Sequence, residues 1–321
     1  MTGRNHAGSP NLALAPGPEF DLVRAFLARW GESARGVGGD CASLDLPDGE
    51  RLVVSIDTSV EGVHFLRPWL TPREIGYRAA AAAWSDIAAV AARPLGALLA
   101  VTASADWTAD LPDVAEGIGD AARAVGAPVV GGDTTAGPAL VITLTVLGSA
   151  AHPLTRAGAR VGDRVYLTGT LGGPAAAVGA WRAGASPDEA ARARFAHPTP
   201  RVREAQWLAA RGATGAIDLS DGLLADVGQL AAASGVRVVV DLDRVPRWRG
   251  LSALDAAASG EEYELVVTAP VAIDGVAFAR ELALPLTYIG DVVEGETGVD
   301  ARLGGRRVDP APGYQHFSDR R

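Results

Sequence analysis

Arg51-Leu52-Val53-Val54-Ser55-Ile56-Asp57 is apolar, β-branched and closed by an acid, and its reading decides the fold. Branched side chains favour extended backbone, so the run is a strand that ends at its aspartate. The pattern returns twice, in Pro128–Val130 followed by Gly131-Gly132-Asp133 and in Gly215-Ala216-Ile217-Asp218. Between the first two lies a helix. Thr71 caps it, Pro72 suits its first position, and Glu74 completes a capping box. That helix is expected to run past Trp84 to about Ala92, where Pro94 stops it.

Working outward, a short amphipathic helix is expected over Phe20–Trp30, strands near Ala97–Thr102 and Leu140–Leu147, and a helix near Val114–Val125. His152–Asp163 is small and polar and reads as a connector. Beyond it the pattern restarts with strands at Arg164–Thr168, Gly215–Asp218, Arg237–Asp241, Glu264–Thr268 and Leu286–Gly290. Helices are expected at Pro174–Ala183, Pro187–Phe195 and Arg201–Ala210. Alternating strands and helices make an α/β protein of two domains, 19–150 and 151–321, after a loose, disordered tail at 1–18. The tail is rich in Gly, Pro and Asn and carries no apolar core, so a cytoplasmic location is expected.

Composition narrows the chemistry. The chain of 321 residues is 48% hydrophobic with a formal net charge of −9, which argues against nucleic acid as a partner. No apolar run is long enough to span a membrane. Cys41 is the single cysteine, which excludes an internal disulfide and a cysteine zinc site. All 29 basic residues are arginine. A P-loop lysine, a Schiff-base lysine and the strand lysine of protein kinases are therefore excluded.

Asp57, Asp133 and Asp218 each close an apolar run and are followed within two residues by Ser or Thr. Carboxylates gathered at strand ends suit a hard divalent cation such as Mg²⁺. Singly, each also serves as a turn or helix cap; the set points to metal and phosphate. Asp40, directly after Gly36-Val-Gly-Gly39, adds a fourth acid. Asp86 has only apolar helical neighbours (Ala82, Ala83, Ala89, Val90), so its partner must come from outside its helix: a metal, an arginine, or solvent. Gly131-Gly132 would let backbone N–H groups approach phosphate, and is also an ordinary turn. Glu261-Glu-Tyr-Glu264 reads as acids before a strand or as a solvated edge. His64 reads as a phosphate contact or as an ordinary histidine.

Taken in order, these segments resemble the thiamine-monophosphate kinase family, within the superfamily that includes aminoimidazole ribonucleotide synthase. The segments are Gly36–Ala42, Ser55–Thr58 with Gly62–Phe65, Trp84–Ala89, Gly131–Thr135, Leu154–Gly158, Ile217–Gly222, Gly260–Leu265 and Gly313–Phe317. The resemblance implies an N-terminal α/β domain that binds ATP and Mg²⁺ and pairs its strands across a homodimer, and a C-terminal α/β domain. It implies several magnesium ions held at Asp40, Ser55, Ile56 (through its carbonyl), Asp57, Asp86, Asp133, Asp218 and Asp221. It further implies ATP contacts at Gly132, Asp133, Arg156 and Ser220, and thiamine monophosphate contacts at His64, Glu261 and Tyr314. Asp133, Arg156 and Asp221 would serve the transfer itself. The chain departs from the family pattern at Gly39, Ile56 and Val125, which replace an acid, a threonine and an aromatic residue. Another ATP-using enzyme of the superfamily, a metal-dependent phosphohydrolase and a nucleotide-binding protein without turnover share parts of the pattern.

Overall fold

The computed structural model describes residues 18–34 and 46–309. Asp40, Tyr314 and nearly all of the expected tail lie outside the described residues. The chain forms two compact units, Met1–Ile87 with Ala92–Pro153, and Ala88–Ala91 with Leu154–Arg321.

The first unit holds α1 (Pro18–Trp30), β1 (Arg51–Val60), most of α2 (Pro72–Ala89), β2 (Arg93–Ala103), α3 (Leu111–Val125), β3 (Val129–Ala136) and β4 (Val141–Ala150). Its sheet runs β1-β4-β2-β3, with β2 and β3 parallel and the other pairs antiparallel. The capping box forms as expected. Thr71 N donates to Glu74 Oε2 at 2.8 Å, and Glu74 N donates to Thr71 Oγ1 at 3.3 Å. The alanines at 79–83 are buried because α2 is covered on every side. A Cβ on Gly76 would stand 1.9 Å from Val114 O, so α2 and α3 cross backbone to backbone. α2 stops at Ala89, sooner than expected, because Ala91 turns left-handed (φ 54°).

The strands run longer than their apolar cores. Asp57 and Asp133 lie inside β1 and β3 instead of closing them, because Thr58-Ser59-Val60 and Thr134-Thr135-Ala136 extend the backbone beyond each acid. Only Asp218 ends its strand as expected.

The second unit holds β5 (Arg164–Thr168), α4 (Gly173–Arg182), α5 (Glu189–Ala196), α6 (Val202–Ala209), β6 (Gly215–Asp218), α7 (Leu223–Ser234), β7 (Arg237–Asp241), α8 (Ala253–Ala257), β8 (Leu265–Ala269), α9 (Gly275–Leu282), β9 (Leu286–Val293), β10 (Gly298–Leu303) and β11 (Arg306–Val308). Its sheet runs β11-β10-β7-β9-β5-β8-β6, antiparallel except for β10 with β7. Alternate residues feed two cores. Val165, Leu167, Ile217 and Val266 pack with Leu223, Val227 and Leu230 of α7. Ala216, Leu265 and Val267 pack with Leu208 and Phe278 of α6 and α9. The sheet is therefore covered on both faces, and its strand ends with their loops are where polar groups collect.

Candidate functional site

In the first unit the site is built from β1 and α2. The register sets Ser55 opposite Val146 and Asp57 opposite Leu144, on the buried face. Leu52, Val54 and Ile56 alternate to the other face and are 48%, 56% and 67% exposed. Ile56 therefore turns its side chain away from Ser55 and Asp57. Asp86 finds its partner outside its own helix, as its apolar neighbours required: Ser55 Oγ donates to Asp86 Oδ2 at 2.5 Å. Asp57 Oδ1 accepts the N–H of Thr58 at 2.7 Å.

On β3, Asp133 lies opposite Ala100 and Gly132 opposite Leu99. A Cβ at position 132 would stand 2.0 Å from the Leu99 carbonyl oxygen. The glycine is thus demanded first by the neighbouring strand. His64 follows β1, and its Nδ1 accepts the N–H of Val60 at 3.1 Å. In the neutral ring the proton is then on Nε2.

In the second unit, Asp218 closes β6 and Leu219–Gly222 leads into α7. Asp226, in the first turn of α7, was not nominated from the sequence. Its Oδ2 accepts the N–H groups of Ser220, Asp221 and Gly222, each at 3.1 Å. The loop is therefore wrapped around an internal carboxylate and spends its own amides there. Burial is the main reason the Asp226 carboxyl is pushed up to about 7. The Asp221 N–H opposes the shift, and the charges of Asp218 and Asp221 add to it.

The segment Glu261–Glu264 runs beside this loop, and it is not a solvated edge. Glu261 N donates to Ser220 O at 2.7 Å, Tyr263 N to Leu219 O at 2.8 Å, and Leu219 N to Glu264 O at 2.9 Å. Glu262 and Glu264 are buried. Glu264 is clamped by Arg194 Nη2 (2.5 Å), Arg201 Nε (2.8 Å) and Nη2 (2.5 Å), and Thr168 Oγ1 (2.7 Å). Such a buried carboxylate is tolerated only because bidentate guanidinium bonds meet it. Glu261 and Tyr263 are left-handed, with φ of 57° and 52°, each costing of order 1–3 kcal/mol for a residue other than glycine.

Arg156 stands elsewhere in the second unit. Thr155 bridges to Gly215 at the start of β6, and Arg156 O accepts from Ser234 Oγ at the far end of α7. Asp218, by contrast, lies at the opposite end of β6, roughly 10 Å away at the rise of a strand. The structure thus brings together Ser55 with Asp86, and Asp218, Ser220 and Asp221 with Glu261. Among the described residues, no three His, Cys, Asp or Glu side chains are gathered closely enough to hold a metal ion.

Residues 38–150 match the model for the N-terminal domain of AIR synthase related proteins, and residues 160–301 match the model for their C-terminal domain. The thiamine-monophosphate kinase of Salmonella typhimurium is 35% identical over 94% of this chain and 98% of its own. Among solved structures, the thiamine-monophosphate kinase of Stenotrophomonas maltophilia K279a superposes with a TM-score of 0.79 at 35% identity, over 88% of this chain and 96% of that one. A structure described as AaThiL complexed with AMPPCP and TMP gives 0.75 at 28% identity, over 93% and 97%.

Proposed function

The chain belongs to the AIR synthase related family, in its thiamine-monophosphate kinase branch, and we propose that it transfers the γ-phosphoryl group of ATP to the phosphate of thiamine monophosphate. The products are thiamine diphosphate and ADP. The observation that carries this reading is the near full-length match to a thiamine-monophosphate kinase, with both family domains in order. The likeness to a structure holding AMPPCP and TMP supports the same pair of substrates.

The residues suit that reaction. The acceptor is already a phosphate oxygen, largely ionised near neutral pH, so transfer asks for positioning and charge neutralisation more than for a base. A chain without lysine must supply fixed positive charge from arginine, and Arg156 is assigned that part. Ser220, Gly132 and Asp133 are assigned to ATP. The Ser220 N–H is spent on Asp226, so Ser220 would serve through its hydroxyl. His64, Glu261 and Tyr314 are assigned to thiamine monophosphate.

The carboxylates suit magnesium in kind, as hard oxygen donors, although among the described residues no three of them are gathered into one site. Burial raises the Asp226 carboxyl, and the charges of Asp218 and Asp221 add to that shift, a repulsion that a divalent cation would offset. Several magnesium ions are assigned, with Asp218 and Asp221 as ligands in the second unit and Asp40, Ser55, the Ile56 carbonyl, Asp57, Asp86 and Asp133 in the first. When bound, they would screen the negative charge of the two phosphate groups as they meet.

The reading also includes a homodimer and a cytoplasmic location. β1 is a ten-residue edge strand with three exposed apolar side chains, a surface that a second copy would cover. No described helix is long and apolar enough to cross a membrane, and ATP as co-substrate suits the cytoplasm.

The test is incubation of the purified protein with ATP, Mg²⁺ and thiamine monophosphate. Thiamine diphosphate should appear one-for-one with ADP. Free phosphate without thiamine diphosphate would instead assign a phosphohydrolase.

A further inference from the structure

Glu262 lies between two left-handed residues and turns inward, where it is 0% exposed. Its Oε1 accepts the N–H of Gly172, ahead of α4, and the hydroxyl of Ser259, after α8, both at 2.5 Å. Oε2 has no hydrogen bond, and Arg194 Nη2 stands 3.7 Å from it. The same Nη2 donates to the Glu262 carbonyl at 2.8 Å and to Glu264 Oε1 at 2.5 Å. One side of the turn is thus tied to α4, α5 and α8. The other side is tied to the Leu219–Ser220 backbone through Glu261 N and Tyr263 N.

A glutamate does not choose the left-handed region unaided, because its Cβ crowds the backbone there. At Glu261 that conformation is imposed from outside, and the nearest anchored side chain is Glu262. Burial pushes the Glu262 carboxyl up to about 7 against the opposing charge of Arg194, so the anchor is held at a cost to the fold. Such costs persist where a backbone shape serves a site.

We propose that Glu262 is a positioning residue for thiamine monophosphate: held by Gly172 and Ser259, it fixes the left-handed turn that presents Glu261 to the substrate. This rests on the reading of Glu261 as a substrate contact.

The test is steady-state kinetics of Glu261→Ala, Glu262→Ala, Glu262→Gln and the double alanine variant, with both substrates varied. Glu262→Ala should raise KM for thiamine monophosphate about tenfold or more and leave KM for ATP within about twofold. Glu262→Gln keeps an acceptor for Gly172 and Ser259 and should stay within about threefold of the parent. The double variant should be no worse than Glu261→Ala alone, because one residue acts through the other. Multiplying losses in the double variant, or an unchanged KM for thiamine monophosphate in Glu262→Ala, overturns the proposal. A normal KM in Glu261→Ala overturns the substrate reading of Glu261 and the proposal with it. Should Glu262→Ala not fold, Ser259→Ala removes one of the two ties and should raise the same KM about two- to fivefold, no change counting against the proposal.

Discussion

Ser55 and Asp86, thirty-one positions apart in the chain, meet at 2.5 Å where β1 passes α2. A strand residue and a helix residue, both assigned to magnesium, are therefore joined within one unit. Asp86→Asn keeps the shape and removes the charge. Turnover should fall about a hundredfold or more, while Ser55→Ala, which removes an uncharged ligand and its bond to Asp86 but no charge, should cost about tenfold. ADP release and calorimetric Mg²⁺ titration check both, with circular dichroism showing the fold retained. Full activity in Asp86→Asn would remove it from the metal set.

Glu262 makes stability depend on pH in an unusual direction. Its carboxyl sits at about 7 in the folded protein against an ordinary 4.5, so the folded state holds a proton that the unfolded chain has released. This contribution is fully present below 4.5 and is lost as pH rises through about 7. The loss should amount to about 1–3 kcal/mol across that window. Glu262→Gln carries no titrating group and should flatten the slope. Thermal melts of both proteins from acid to neutral pH decide it, parallel curves excluding Glu262 as the source.

Gly132 is fixed by the Leu99 carbonyl, which would stand 2.0 Å from any Cβ at that position. Gly132→Ala must push β3 from β2 and should destabilise by about 2 kcal/mol or more. Urea denaturation with an unchanged m-value is the measure. An unchanged midpoint would mean that the strands part freely there.

The exposed row Leu52, Val54 and Ile56 on edge strand β1 should be covered by a second copy. Light scattering is expected to give twice the chain mass of 32.9 kDa, and Val54→Asp should halve it. A monomeric parent would refute the dimer.

Sequence periodicity carried the elements whose causes are local. The Thr71–Glu74 box and the strands Arg164–Thr168, Gly215–Asp218 and Arg237–Asp241 lie where side-chain type alone puts them. Asp57 and Asp133 were misplaced within their strands because Thr and Ser beyond them carry turn and strand preference alike. The β10–β11 hairpin escaped notice because Asp300, Arg302, Arg306 and Arg307 blur its alternation around Gly304-Gly305. The site was legible as motifs in order, and much less so as geometry. Asp226 carries no motif of its own, and Glu262 and Glu264 looked like solvated acids. Burying them depends on Arg194 and Arg201, more than sixty positions distant, which no local pattern contains.

The Asp226 carboxylate at the heart of the Ser220–Gly222 loop has a consequence for inhibitor chemistry. Amides that elsewhere cradle an anion are occupied by the protein's own acid, and the acids at 218 and 221 flank them. A compound carrying a bare sulfonate or carboxylate headgroup gains nothing there. Selective ligands for this loop should instead bear a cation or a chelated metal, with a hydroxyl acceptor to meet Ser220.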